Sequence, residues 1–329
     1  MWMEGSTSGV YRMWFQHMDI NRIPFYQYNT IIVGTGAAGL NAAVTLHKLG
    51  QKNIALITEG RYMGTSRNTG SDKQTYYKMT QCGSEPDSVR KMAKTLFEGG
   101  CVDGDIAMAE AARSLRAFYH LVDIGVPFPF NKSGEYVGYK TDHDPLKRGI
   151  SAGPLTSKYM TECLERQAEE RGIPFFDGYQ AVRLLTEEKD GEKRAAGIIA
   201  LNKQKAASPD ERYAVFSAVN IIWATGGEAG MYQASVYPVS QTGGMGVLLE
   251  AGAVAKNLTE SQFGIASVKH RWNLSGTFQQ CLPRYLSAEL HLSALELDWL
   301  ILADRFAELN TLFGVGNCFI NTSLGYADT

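Results

Sequence analysis

No run of about 18 uninterrupted apolar residues occurs in this 329-residue chain, so no membrane-crossing helix is expected. Cysteine is sparse and scattered. Cys82, Cys101, Cys163, Cys281 and Cys318 are odd in number and form no C-x-x-C pair. That pattern argues against a disulfide framework, a structural zinc site and a cysteine-ligated iron–sulfur cluster, and a reducing cytoplasm is the expected compartment. An excess of one charge is also lacking. The 32 Lys and Arg meet 34 Asp and Glu, for a net charge of −2, which leaves no footprint for nucleic acid and no polybasic membrane patch. The opening stretch MWMEGSTSGVYRMWFQHMD lacks the charged start and continuous apolar middle of a secretory signal. Residues 1–17 are expected to be a disordered extension.

What is present is a hydrophobic content of 44%, ordinary for a folded core, and one short stretch of high information. Thr30 to Gly39 reads TIIVGTGAAG, an apolar strand running into Gly34-x-Gly36-x-x-Gly39. This is the sequence form of a strand–turn–helix that seats a dinucleotide pyrophosphate. Gly34 permits the tight turn, Gly36 admits the phosphates to the backbone, and Gly39 lets the helix pack on the sheet. Thr35, Ala37 and Ala38 complete the turn, whose helix N-terminus offers N–H groups and partial positive charge to the anion. Leu40 to Leu49 has helical periodicity up to Gly50, and a second apolar strand, Ile54 to Ile57, reaches Thr58 and Glu59.

The rest of the chain reads as an α/β protein with one change of period. Gly60 to Tyr77 is rich in Gly, Ser, Thr and Asn and loop-like. Amphipathic helices are expected over Ser88–Leu96, Ile106–Ile124 (closed by Gly125) and Thr156–Glu170. Ala181–Leu185, Ala195–Leu201 and Tyr213–Phe216 read as short strands of an inserted antiparallel meander, split by turns that include Asp190-Gly191. Asn220–Trp223 reads as a separate strand ending in Ala224-Thr225-Gly226-Gly227. Leu290–Leu309 reads as one further amphipathic helix.

These landmarks stand in the order of a known family. The chain resembles the flavoprotein subunits of fumarate reductase and succinate dehydrogenase and the related L-aspartate oxidases, over about Tyr28 to Tyr285. The likeness is strongest at GTGAAGLNAA, ATGGEAGMY and QTGGMGVLLEAGA. It implies a Rossmann-like FAD-binding domain with an inserted β-meander, over residues 18–256, then a partial capping domain and divergent C-terminal helix over 257–329. It implies FAD as cofactor, with pyrophosphate on Gly34–Gly39 and ribose near Thr58 and Glu59. The stretch Gly64, Thr65, Ser66, Asn68, Thr69, Gly70, Ser71 and Gln74 matches the segment along the isoalloxazine ring. Val182 matches the strand whose backbone meets adenine, and Ala224, Thr225 and Gly226 form the matching strand end. Respiratory members carry in that loop a histidine bonded to FAD. Ser66 stands at its position, so non-covalent FAD is expected.

The same resemblance implies hydride transfer through flavin N5 to or from a small carboxylate, and an electron-transfer protein as a possible partner. Arg284 has the spacing of an arginine in the family's proton relay, and His143 is a candidate substrate or flavin contact. Asp142, His143 and Asp144 are adjacent in a loop, where side chains seldom converge on one ion, so no metal is expected. The chain departs from the pattern elsewhere. The family's T-G-D-G turn reads Thr242-Gly243-Gly244-Met245 without its aspartate, and the substrate histidine position is Gly264. The acid beside the relay arginine is Cys281, and no arginine follows Arg305. Likeness ends near Ala288, which reads as a truncated product or a divergent short relative. A non-catalytic or incomplete flavin-binding protein is the alternative reading.

Overall fold

The computed structural model describes residues 23–69, 74–83, 86–100, 102–141, 144–227 and 243–258. In chain order the elements are β1 (Phe25–Val33), α1 (Ala37–Lys48), β2 (Ile54–Thr58), α2 (Thr65–Asn68), β3 (Tyr76–Tyr77), α3 (Val89–Glu98) and α4 (Gly104–Asp123). Then come β4 (Gly149–Ile150), α5 (Thr156–Glu170), β5 (Phe175–Asp177), β6 (Tyr179–Lys189), β7 (Glu192–Asn202), β8 (Tyr213–Trp223) and α6 (Met245–Glu250). Contacts separate the described chain into two compact units, residues 23–64, 164–227 and 243–253 in the first, and 65–163 and 254–258 in the second.

The first unit holds one six-stranded sheet in the order β5-β2-β1-β8-β7-β6. β5, β2, β1 and β8 are mutually parallel, while β7 runs antiparallel to both β8 and β6. Central strand β1 pairs Thr30–Val33 with Ile54–Ile57 on one side and Asn220–Trp223 on the other. A strand flanked on both edges and covered on both faces needs a continuous apolar run. Ile31 and Ile32 are fully buried, and so are Ala55, Leu56 and Ile57 of β2. Helix α1 buries Gly39, Leu40, Ala43 and Val44, one face of a helical repeat. The core on the sheet is built from Ile31, Val33, Ile57, Ile198, Ala200, Ala214 and Phe216, with Tyr26, Phe176 and Trp223 packed against it.

The meander is present as β6, β7 and β8, and its tightest turn is Asp190-Gly191. Both residues have positive φ, +56° and +79°, and Lys189 pairs with Glu192 across them, as a two-residue hairpin requires. One difference from the sequence reading concerns β8. Tyr213–Phe216 and Asn220–Trp223 are two ends of one 11-residue strand. Ser217 and Asn220 are poor strand formers, but pairing with β1 across Gln27↔Ser217 and Thr30↔Asn220 holds the chain extended. The meander is therefore continuous with the parallel sheet through β8.

In the second unit α3 and α4 pack through Met92, Ala93, Ala107 and Ala111. Ser88 caps α3 by accepting from Lys91 N–H at 3.2 Å, and Asp103 caps α4 by accepting from Asp105 and Ile106 N–H. No helix among the described residues is long and apolar enough to cross a membrane.

Candidate functional site

Because β1, β2 and β8 are parallel, Val33, Thr58 and Trp223 end at the same edge of the sheet. Ligands of open α/β sheets bind outside such carboxyl edges. Two backbone bonds fix the first turn there. Gly34 N–H donates to Ile57 O at 2.8 Å, and Ala224 N–H donates to Val33 O at 2.7 Å. Gly34 has φ +105°, and a Cβ on it would overlap the Ala224 carbonyl. A Cβ on Gly39 would overlap the Gly34 carbonyl, so α1 sits directly on the turn. Gly36 is the N-cap of α1 and brings no side-chain oxygen, and the first turn carries no acidic residue. An anion at this point meets the positive helix end without a competing carboxylate. The segment after β2 folds back over the turn, so that a Cβ on Gly64 would lie 3.7 Å from the Gly36 α-carbon.

The residues after β2 take distinct roles. Thr58 is 6% exposed and turned inward. Thr35 Oγ1 donates to Thr58 Oγ1 at 3.0 Å, and Thr58 Oγ1 accepts from Gly60 N–H at 3.3 Å. Glu59 stays at the surface of the edge, where Lys203 Nζ donates to its carboxylate at 2.8 Å. Arg61 anchors the following turn. Its N–H donates to Asp177 Oδ1 at 2.8 Å, and its guanidinium pairs with Glu165 and Glu169 and stacks 4.1 Å from the Phe175 ring centre. Burial lowers the Arg61 pKa, but the two carboxylates outweigh it, and the net shift is upward.

This cradle of bare glycine backbone at a parallel-sheet edge suits a dinucleotide pyrophosphate. The family described as FAD binding domain matches residues 29–282, well over half of the sequence. The chain belongs to this family, and FAD is its cofactor. Curated relatives agree. The chain is 28% identical over 242 residues to an L-aspartate oxidase of Agrobacterium fabrum, covering 71% of this chain and 42% of that protein. It is 27% identical to the 8-methylmenaquinol:fumarate reductase flavoprotein subunit of Wolinella succinogenes, covering 80% of this chain and 42% of that protein. The chain thus spans under half the length of these relatives. Among solved structures, a quinol fumarate reductase of E. coli superposes with TM-score 0.64 at 21% identity, over 74% of this chain and 40% of that one. An open conformation of a flavocytochrome c3 fumarate reductase gives TM-score 0.65 at 18% identity, over 85% and 50%. These two likenesses show the fold.

The structure brings Gly34, Thr35, Gly36, Ala37, Ala38, Gly39, Thr58, Glu59, Gly64, Ala224, Thr225 and Gly226 into the first unit. Val182 lies in β6 of the same unit. The ladder steps from Ala181↔Ala200 to Arg183↔Ile199, which leaves Val182 as the extra residue of a β-bulge. Its backbone is excused from pairing with β7.

Thr65, Ser66, Asn68, Thr69 and Gln74 belong to the second unit. Gln74 is a brace there, donating from Nε2 to Thr69 O at 3.0 Å and accepting at Oε1 from Ser157 N–H and Oγ at 2.8 and 2.9 Å. Gly70, Ser71, His143 and Arg284 lie outside the described residues, as does the helix expected over Leu290–Leu309.

The polar loop that ends at Arg148 proves partly structural. Arg148 is fully buried and forks onto Asp87, with Nε to Oδ2 at 2.9 Å and Nη2 to Oδ1 at 2.8 Å. Nη1 donates to Thr95 Oγ1 at 2.9 Å and approaches Asp144 Oδ1 at 3.4 Å, while Tyr77 donates to Asp144 Oδ2. Burial pushes the Asp87 carboxyl up, but the Arg148 fork and the Thr80 and Ser88 amides more than reverse it, and the net shift is downward. Burial and then the Asp144 bond push the Tyr77 hydroxyl up to about 12.

Two buried polar atoms of the first unit that sequence reasoning did not single out as a pair are Trp223 Nε1 and Thr225 Oγ1, neither of which has a hydrogen-bond partner. The tryptophan ahead of Ala224-Thr225-Gly226 is visible in the sequence. Its lack of an acceptor is not.

Proposed function

We propose that this chain is the FAD-holding part of an oxidoreductase that acts on a small carboxylate and holds its flavin without a covalent bond. The observation that carries the reading is the glycine cradle at the carboxyl edge of β1, β2 and β8, in which Gly34 and Gly39 admit no side chain. Bound FAD supplies two-electron chemistry, exchanging a hydride with a carbon beside a carboxylate. The chain's own residues hold and orient. The Gly34–Gly39 turn takes the pyrophosphate, the Val182 bulge offers backbone to the adenine, and Ala224 to Gly226 close the far side. His143 and Arg284 are the proposed substrate contacts, an imidazole for proton exchange and a guanidinium for the carboxylate. The printed names of the relatives support the carboxylate class, since aspartate and fumarate are both dicarboxylates.

The expected absence of a covalent link rests on the resemblance, since Ser66 stands where respiratory members of the family carry the histidine bonded to FAD. Acid precipitation of the flavin-loaded protein should therefore leave yellow supernatant and colourless pellet. Flavin retained in the pellet would refute this part. Anaerobic mixing with dicarboxylates and amino acids then reads the activity, with bleaching of the flavin absorbance expected for one carboxylate class. Stoichiometric flavin that none of them bleaches would replace the enzyme reading by that of a cofactor-holding module.

Glu59 is the proposed ribose acceptor, with Lys203 fixing its carboxylate. Replacing the ionised acceptor, Glu59→Gln, should raise the FAD Kd roughly tenfold, the effect of losing one charge-assisted hydrogen bond. Lys203→Ala should act in the same direction but less, because that pair is partly exposed and screened. Equal binding by Glu59→Gln would remove Glu59 from the site.

A further inference from the structure

We infer that Arg61 is a positioning residue for the cofactor, its guanidinium clamp holding the segment from Thr58 to Arg61 in the form that meets the FAD ribose and pyrophosphate. The inference rests on the cofactor reading and adds to it a residue outside the glycine motif. Glu165 and Glu169 stand one turn apart on α5 and present two carboxylates on one face. The guanidinium forks onto both, Nε to Glu165 and Nη2 to Glu169, while its plane lies 4.1 Å from the Phe175 ring centre. A lysine ammonium could not make this set of contacts, since it has neither a plane to stack nor a fixed fork. The Arg61 side chain is 18% exposed and that of Glu165 11%, so this pair is screened less than an open surface bridge.

The backbone of Arg61 joins the clamp to the cofactor edge of the sheet. Its N–H donates to Asp177 Oδ1 at 2.8 Å, and its carbonyl lies 3.4 Å from Thr35 Oγ1. Thr35 belongs to the Gly34–Gly39 turn. Met63 N–H donates to Gly60 O at 3.1 Å and closes a turn with Arg61 at its second position. Upstream, Thr58 pairs with Asp177 of β5 and is held through its hydroxyl by Thr35. Glu59, the proposed ribose acceptor, therefore sits between two fixed points, and the guanidinium anchors the second. Both carboxylates occupy that guanidinium, so Arg61 acts through Glu59 and Thr35 and not by touching the ligand. A segment ordered in advance binds more tightly than one its ligand must order.

The test measures FAD affinity, ADP affinity and thermal stability on the full chain. Arg61→Met should raise the FAD Kd about tenfold and lower the melting temperature, because Glu165 is left without its cation. Arg61→Met combined with Glu165→Gln should regain much of that stability, since the unpaired carboxylate is gone. It should nevertheless keep the raised Kd, since the turn stays unclamped. A Kd that recovers along with stability would make the clamp a packing device and overturn the inference. Arg61→Lys keeps a charge against both acids and should raise the Kd only about threefold. It also decides the matter if Arg61→Met folds poorly, because an unchanged Kd in Arg61→Lys counts against the clamp. ADP carries the ribose and pyrophosphate without the flavin ring, so its Kd should rise by the same factor as that of FAD. A rise for FAD alone would place the effect at the ring and equally overturn the inference. Unchanged affinity in every variant sinks this inference only, whereas wild type that binds no FAD sinks it together with the cofactor reading.

Discussion

Gly34→Ala should abolish FAD loading, with a Kd raised more than about 100-fold and purified protein that is colourless. Two costs coincide at this position. The residue has φ +105°, a region that side chains with a Cβ avoid at a cost of about 1–2 kcal/mol or more. The added carbon would also meet the Ala224 carbonyl oxygen and carbon, backbone atoms that cannot rotate aside. Relief requires moving the end of β8 from β1, and with it the bond from Ala224 N–H to Val33 O. Gly50→Ala is the matched control. Gly50 has φ +99°, yet a Cβ there meets nothing within 4 Å. It should cost stability alone and leave the flavin spectrum intact. Equal loss of flavin in both variants would show that general destabilisation, not the cradle, is being measured.

That contrast also marks what could be read from the chain in advance. Gly34 and Gly39 were legible because a Cβ at either would overlap neighbouring backbone, and Gly36 because its spacing places it at the N-cap of the first helix. Asp190-Gly191 was legible as a turn, and the stops at Gly125 and Gly172, with φ of +99° and +66°, closed helices whose periodicity was clear. Reading failed where the partner is distant. The break expected between Phe216 and Asn220 does not occur, because Ser217 and Ala218 pair with Gln27 and Tyr28 of β1. Thr58 stands where a ribose contact is expected, but a hydroxyl 23 positions earlier in sequence draws it inward. Arg148 sits in a run of polar residues, and its partner Asp87 is 61 positions away. Polarity in a sequence does not distinguish a surface group from one whose partner arrives through the fold.

The Arg148–Asp87 pair carries the second large expectation. Asp87→Asn should destabilise the protein by about 3–5 kcal/mol, because a fully buried guanidinium loses the carboxylate that compensates it. Asp144 remains, but at 3.4 Å from Nη1 and already bonded to Tyr77 and to Leu146 N–H. At roughly 2–4 °C per kcal/mol for a domain of this size, the melting temperature should fall by about 10 °C. The pH dependence has a definite sign. The Asp87 carboxyl titrates below the ordinary carboxylate range in the folded protein. Its contribution is therefore complete above the unfolded value of about 4 and is lost as pH falls through the folded value. Wild type should lose stability steeply below about pH 4, and Asp87→Asn should show a flatter acid limb from a lower plateau. Removing both charges, as Asp87→Asn with Arg148→Met, should recover part of the loss at neutral pH, since no unpaired ion is then left in the interior. Thermal melts from pH 3 to 8 on wild type and the two variants decide it, and an Asp87→Asn curve that parallels wild type would show that the pair is not what acid breaks.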